Sequence, residues 1–227
     1  MKRYEIKYAI DGLGIEELHS MLKMHPMHFR PVYSKRQINN IYFDTWDLSA
    51  FIDNIEGERN RKKVRLRWYG QLNDISIKPI LEVKQKSGML GWKERYEVEP
   101  IDVDFKKKIE TSQLLKFEGG LRDNILQVSG VDLAFLKPTL LNNYEREYYL
   151  TADDNFRLTI DTNLQFFDIN PLRIFSGMPF QQDRIVVELK FLEEYYEMAE
   201  FVTSRLPTRL TKSSKYVVGI DRLRNWI

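Results

Sequence analysis

Side chains alternate across a β-strand, so the chemistry at positions i, i+2 and i+4 fixes what each face has to meet. Two-residue alternation marks strands at Lys63 to Tyr69, Ile80 to Gln85, Trp92 to Glu99, Tyr144 to Leu150, Arg157 to Asp161 and Arg184 to Lys190. Sorted by parity, one face is apolar: Val64, Leu66, Trp68; Leu81, Val83; Tyr96, Val98; Leu158, Ile160; Ile185, Val187, Leu189. The other carries Arg65, Arg67; Glu82, Lys84; Lys93, Arg95, Glu97; Arg146; Arg157, Asp161; Arg184, Glu188, Lys190, and Arg3, Glu5 and Lys7 continue the pattern near the start.

A face that is merely wet would mix Thr, Ser, Gln and Asn among its charges and would not favour Arg. Here Arg and Lys predominate, and acids recur two residues from bases. If such a sheet closes with its ionised face inward, helices can cover the apolar outside and the interior becomes a basic channel with a minority of carboxylates. Unpaired charges away from bulk water are costly, so the channel has to hold water and, in use, a polyanion. Arginine forks and lysine point charges bind phosphate oxygens, and carboxylates among them can hold a divalent cation. A polyphosphate or a nucleoside triphosphate satisfies both.

The remaining sequence supplies the cover. Arg3 to Ile10 and Gln37 to Asp44 read as further strands; Ile15, Leu18 and Leu22 share a helical face, and Trp46 to Ile52 forms a short helix. Residues from about Phe105 to Leu136 are helical in pattern, and Pro138 resets the chain to extended. Phe191, Tyr195, Met198 and Val202 give Phe191 to Leu206 an amphipathic helix. Ser213 or Ser214 can cap a last helix to about Leu223. No repeat, low-complexity segment or linker divides the chain. The expectation is one domain over residues 1–227 of α+β class: a closed antiparallel β-barrel with helices packed on the outside.

Composition sets limits on function. The 227 residues carry 35 Lys+Arg against 33 Asp+Glu, a formal charge of +2, which speaks against a surface that traps nucleic acid along its length. With no Cys, disulfides, thiolate catalysis, iron–sulfur clusters and Cys-type zinc sites are excluded. No apolar run approaches the ~20 residues that span a bilayer, and the charged start Met1-Lys2-Arg3-Tyr4-Glu5-Ile6-Lys7 lacks a signal-peptide core. The expected location is cytoplasmic, with no membrane segment of its own.

Other signals are weaker. His19, His25 and His28 are the only histidines; Pro26 interrupts any helix between the last two and no carboxylate is near in sequence, so loop and core roles outweigh zinc. Ser213 and Ser214 have no adjacent base. Glu118-Gly119-Gly120 lacks the lysine and spacing of a P-loop. Trp46, Trp68, Trp92 and Trp226 read as core anchors rather than base-stacking platforms. The runs Arg59-Asn60-Arg61-Lys62-Lys63 and Lys106-Lys107-Lys108 read as solvated faces, the first also able to funnel a polyanion toward Arg65 and Arg67.

In order along the chain, the sequence has Arg3-Tyr4-Glu5-Ile6-Lys7-Tyr8, Ile41-Tyr42-Phe43-Asp44-Thr45, Val64-Arg65-Leu66-Arg67-Trp68-Tyr69, Leu81-Glu82-Val83-Lys84 with Lys93, Tyr144-Glu145-Arg146, Arg157-Leu158-Thr159-Ile160-Asp161, Val187-Glu188-Leu189-Lys190 and Ser213-Ser214-Lys215-Tyr216. Together these resemble the VTC (vacuolar transporter chaperone) domain, the polyphosphate polymerase branch of the CYTH-like triphosphate tunnel metalloenzymes. The resemblance implies an antiparallel tunnel in which Arg65, Arg67, Arg146, Arg157 and Lys84 clamp the reacting phosphates. Lys7, Lys93, Lys190 and Lys215 would bind the rest of the polyanion. Glu188 would hold Mn²⁺ or Mg²⁺, with Glu82 and Glu5 as lesser candidates for its outer shell. The implied activity is metal-dependent transfer of the ATP γ-phosphate to a polyphosphate chain, with ATP, polyphosphate or tripolyphosphate as partners and no nucleic acid.

Two departures bear on that activity. Hydrolytic members of the wider superfamily open with Glu-x-Glu-x-Lys, whereas here Arg3 stands at the first acid, leaving Glu5 and Lys7. Losing a carboxylate weakens a site for a metal that activates water, which favours transfer over hydrolysis. The SPX domain and membrane helices of eukaryotic members have no counterpart in these residues, which leaves open a separately encoded membrane partner. The alternatives are a tripolyphosphatase or nucleotide phosphatase of the same fold and a non-catalytic sensor of polyphosphate or nucleotide.

Overall fold

In chain order the elements are β1 (Arg3–Ile10), α1 (Ile15–Met24), β2 (Arg30–Asp44), α2 (Ser49–Glu56), β3 (Asn60–Tyr69), β4 (Ile80–Ser87), β5 (Leu90–Glu97), α3 (Leu121–Ser129), β6 (Lys137–Leu150), β7 (Arg157–Asp168), β8 (Phe180–Gln182), β9 (Ile185–Leu192), α4 (Tyr196–Thr203), β10 (Arg209–Leu210) and α5 (Lys215–Arg224). This computed structural model describes residues 3–72, 77–88, 90–101, 114–115, 120–169, 178–206, 209–210 and 214–224. Lys106 to Lys108, Ser213, Trp226 and the Glu118-Gly119 pair lie outside the described residues.

Hydrogen-bonded neighbours run β10-β1-β9-β7-β6-β2-β3-β4-β5, with β8 on β7. The registers given for β1 with β9 and β10, β2 with β3, β3 with β4, β4 with β5, and β7 with β9 are all antiparallel. The order has two ends, β10 and β5, rather than the closed ring anticipated from the sequence.

The chain divides into two compact units, residues 1–37, 144–164 and 181–213 in the first, and 38–143, 165–180 and 214–227 in the second. β2, β6 and β7 each contribute residues to both. In the first unit Leu158 and Ile160 of β7 and Ile185, Val187 and Leu189 of β9 pack with Leu18 and Leu22 of α1 and Val202 of α4. In the second, Val64, Leu66 and Trp68 of β3 and Leu81 and Val83 of β4 pack with Ile125 of α3 and with Leu133. The apolar parity set is therefore the helix-covered set. Each such side chain contributes about 1.5–3 kcal/mol on full burial.

Three local readings differ from the structure. Trp46 and Trp92 are 61% and 47% exposed rather than core anchors, while Trp68 is buried as expected. The stretch from Phe191 is still strand at its start: β9 runs to Leu192, where Phe191 stacks on Tyr4 of β1 at 5.7 Å, and a 3₁₀ turn at Glu193–Tyr195 delays the helix to Tyr196. The helix after β2 starts at Ser49 rather than Trp46. Asp44 sets that start: its Oδ1 accepts from the Thr45 and Ala50 backbone N–H groups and its Oδ2 from that of Phe51. A carboxylate on these free donors both caps the helix and complements its dipole. Tyr216 of α5 donates its hydroxyl proton to the same carboxylate. Further along α5, Gly219 permits close approach: a Cβ there would meet Leu140 Cδ2 at 2.6 Å and Phe166 Cδ1 at 2.7 Å.

Candidate functional site

Antiparallel pairing in the second unit puts Arg65 of β3 opposite Glu82 of β4, and Glu82 in turn opposite Arg95 of β5. Glu82 is thus flanked on both sides by cations, and being two residues from Lys84 shares its face. Arg65 donates from Nε and Nη2 to Glu82 Oε2 at 2.8 and 2.6 Å, and Arg67 Nη1 lies 3.8 Å from the same oxygen. Lys93 Nζ and Arg95 Nε donate to Oε1 at 2.8 and 3.2 Å. Four cations therefore share one carboxylate, whose residue is only 2% exposed. Burial alone would raise the Glu82 pKa, but Arg65, Arg67 and Lys93 more than reverse this and hold it far below the carboxylate range. Burial dominates at Lys93 instead, with Arg65 and Arg95 adding to it against the pull of Glu82, and its ammonium is pushed down to about 8.

A polar scaffold fixes the two arginines. Arg65 Nη1 donates to the Tyr42 hydroxyl at 3.3 Å. Arg67, itself buried, donates from Nε to Asn40 Oδ1 at 2.8 Å, and Asn40 donates to Asn142 Oδ1 at 3.0 Å. Asn143 donates to Asn39, whose own amide donates to the Gly70 carbonyl at 3.0 Å. Sequence reasoning missed these amides; the Asn39-Asn40 and Asn142-Asn143 pairs within otherwise apolar strands were the available signal. Lys84 lies opposite Lys63 and Lys93, and Lys215 opens α5 in this same unit, half-buried. Ser214, just before that helix, accepts a hydrogen bond from Lys63 Nζ at 2.8 Å.

The first unit assembles the other predicted residues. Pairing of β1 with β9 sets Lys7 opposite Glu188 and Glu5 opposite Lys190, a checkerboard of charge. Lys7 Nζ lies 2.9 Å from Glu5 and 3.7 Å from Glu188. Lys190 pairs with Glu188 and lies 3.7 Å from Glu5. Burial would raise the Glu188 pKa; Lys7, Lys190 and Arg146 overcome it and hold the carboxylate well below its ordinary value. Arg146 itself makes a bidentate pair with Asp161, at 2.5 and 2.7 Å. Burial works against its charge, but Asp161 raises its pKa above the usual guanidinium value. Arg157, opposite Lys190, is exposed and makes no ion pair among the described residues.

The two clusters differ in balance. Among the described residues four cations surround Glu82, whereas Glu5, Glu188 and Asp161 match Lys7, Lys190 and Arg146 one for one. Among the described residues no three His, Cys, Asp or Glu side chains converge as a complete metal cage. Glu5 and Glu188 each face the Lys7 and Lys190 ammonium groups through both carboxylate oxygens, so a divalent cation held there with phosphate oxygens would have to displace those ammonium groups. Both oxygens of Glu82 already receive cationic donors, which suits a counter-ion more than a metal ligand.

The histidines stay apart from both clusters. His25 is buried, donating from Nε2 to the Val202 carbonyl and accepting the Met27 N–H on Nδ1, each at 3.1 Å. Burial lowers its pKa, in keeping with the neutral ring that this pattern requires. His19 meets Glu147 at 2.8 Å, and His28 is exposed. No helix among the described residues is long and apolar enough to cross a membrane.

Comparison with known proteins bears on the fold and the family. Subunit 4 of the vacuolar transporter chaperone complex of Schizosaccharomyces pombe is 24% identical over 270 residues, spanning 97% of this chain and 37% of that protein. Similar folds occur in a Bacillus halodurans protein named for adenylate cyclase (TM-score 0.51, 15% identity, 94% of this chain and 97% of that one). A Hippeastrum protein named for adenylyl cyclase and described by a dominant triphosphatase activity also matches (TM-score 0.50, 19% identity, 96% of this chain and 94% of that one). At these identities the two structures speak for fold alone. The family model described as the VTC domain matches residues 2–224. The chain belongs to the VTC domain family.

Proposed function

We propose that this chain binds polyphosphate and the triphosphate of ATP, and transfers the ATP γ-phosphate to the end of a polyphosphate chain. The observation that carries the reading is the cation excess at Glu82: one buried carboxylate organises Arg65, Arg67, Lys93 and Arg95 without neutralising them. Four cations preorganised around one buried carboxylate match a dense polyanion, and phosphoryl transfer depends mainly on such positioning and charge stabilisation.

In this reading Arg65 and Arg67, braced by Tyr42 and Asn40, grip the phosphates while Lys93 and Lys84 extend the cationic face. Arg146 and Arg157 serve the transferred group, and Lys7, Lys190 and Lys215 draw in the chain. Glu188, assisted by Glu5, would hold Mn²⁺ or Mg²⁺ jointly with phosphate oxygens. Bound there, the metal would offset negative charge on the phosphates. The attacking phosphate oxygen is already anionic at neutral pH, so no general base is needed. Membership of the VTC family and the loss of a carboxylate at Arg3 both favour transfer over hydrolysis.

The test is incubation with ATP and Mn²⁺, resolving products by chain length. Long chains with ADP are expected. Inorganic phosphate alone would make the protein a hydrolase, and tight tripolyphosphate binding with neither product would make it a sensor.

A further inference from the structure

We propose that the second unit carries a further site, formed by Lys137 and Arg224 behind the indole of Trp46, for a small tetrahedral oxyanion of the inorganic phosphate class. Lys137 opens β6 and is 6% exposed. Its ammonium faces the Trp46 ring, 3.8 Å from the centroid. Among the described residues it donates no hydrogen bond and meets no carboxylate at ion-pair distance. Arg224 ends α5, and its Nη2 is buried with no hydrogen-bond partner. The Arg224 charge is close enough to act on the Lys137 ammonium, which itself sits against the Trp46 ring.

The surrounding acids do not resolve this. Asp44 and Asp168 are near enough to favour the charged ammonium, but neither receives a hydrogen bond from it. The Asp44 carboxylate is committed to the start of α2 and to Tyr216. Burial, reinforced by Arg224, pushes the Lys137 pKa down despite both acids. A cation–π contact with Trp46 makes up only part of the hydration that the Lys137 ammonium loses on burial. The buried Arg224 nitrogen without a partner calls for an explanation, and an oxyanion supplies one. A guanidinium fork together with an ammonium point charge matches phosphate oxygens. These residues are distinct from those that surround Glu82.

The protein is titrated with sodium phosphate against sodium chloride at matched ionic strength, with sulfate and acetate as further arms. The readouts are the emission component lost in Trp46→Phe and the melting temperature. Phosphate and sulfate should give a saturable emission change that chloride and acetate do not. Lys137→Met should melt higher than wild type without added anion, since a stripped charge is gone, and should weaken the phosphate response by about tenfold or more. General salting effects of phosphate on burial act on both proteins alike and cancel in that comparison. Should Lys137→Met fail to fold, Arg224→Met carries the same test on phosphate affinity. The proposal is overturned if phosphate does no more than chloride, if acetate does as well, or if the folded variant responds as wild type. Loss of the Trp46 response in Arg65→Ala would overturn the separateness of the site.

Discussion

Replacing Glu82 by Gln removes one negative charge and little volume from the middle of four cations. Glu82 is 2% exposed, so solvent cannot substitute for it. Removing one partner of a buried ion pair costs about 3–5 kcal/mol, because the remaining charge stays buried and uncompensated. Arg65 and Arg67 face this directly, while Arg95 is well exposed and escapes much of it. Urea unfolding of the unliganded variant should therefore show a loss in that range. Tripolyphosphate should then restore stability, since ligand at a hundred times its dissociation constant adds about 2.7 kcal/mol. With no carboxylate competing for the cations, the gain should exceed that of wild type at equal free ligand. Acid titration gives a second signature. The folded Glu82 pKa lies below its unfolded value of 4.5, so its stabilisation is complete above that pH and is lost as pH falls toward the folded value. Glu82→Gln should lack this component. A folded variant that binds tripolyphosphate about tenfold more weakly than wild type would refute the counter-ion role.

Arg65→Ala and Arg157→Ala should each weaken tripolyphosphate binding by at least about tenfold, or about 1.4 kcal/mol, in calorimetry; unchanged affinity in both would remove the assignment. Glu188→Gln should reduce activity more than metal-free ligand binding, whereas equal loss of both would make Glu188 structural. Because Lys93 titrates near pH 8, polyanion affinity should fall as pH rises through that value, and Lys93→Arg should flatten the profile between pH about 7 and 9. Gly219→Ala should lower stability by about 1–3 kcal/mol through overpacking against Leu140 and Phe166, net of a helix-propensity gain of about 1 kcal/mol, which thermal unfolding would register.

The parity of the strands carried most of the fold. Val64, Leu66 and Trp68 alternate with Arg65 and Arg67 so regularly that only one assignment of faces buries the apolar set. Which charges meet was not legible, because pairing depends on register: nothing in the sequence says that Glu82 lies between Arg65 and Arg95, or that Lys7 faces Glu188. The exposure of Trp46 escaped for a related reason. Its partner Lys137 is remote in sequence, and a cation–π contact has no periodicity to reveal it. Where Phe191 ends a strand rather than begins a helix, its spacing to Tyr195 fitted the helical period by coincidence, and aromatic packing against Tyr4 decided the outcome.

The pairing of β1 with β9 joins residues 3–10 to residues 185–192, a segment made long after them. Until then Lys7 has no Glu188, and the half of the molecule that needs both must wait. Productive assembly of that half consequently follows synthesis of β9 and has a large loop to close. A truncated product ending before Ile185 would expose Tyr8 and Ile10 without their strand partner, making it a natural client for chaperones and proteases.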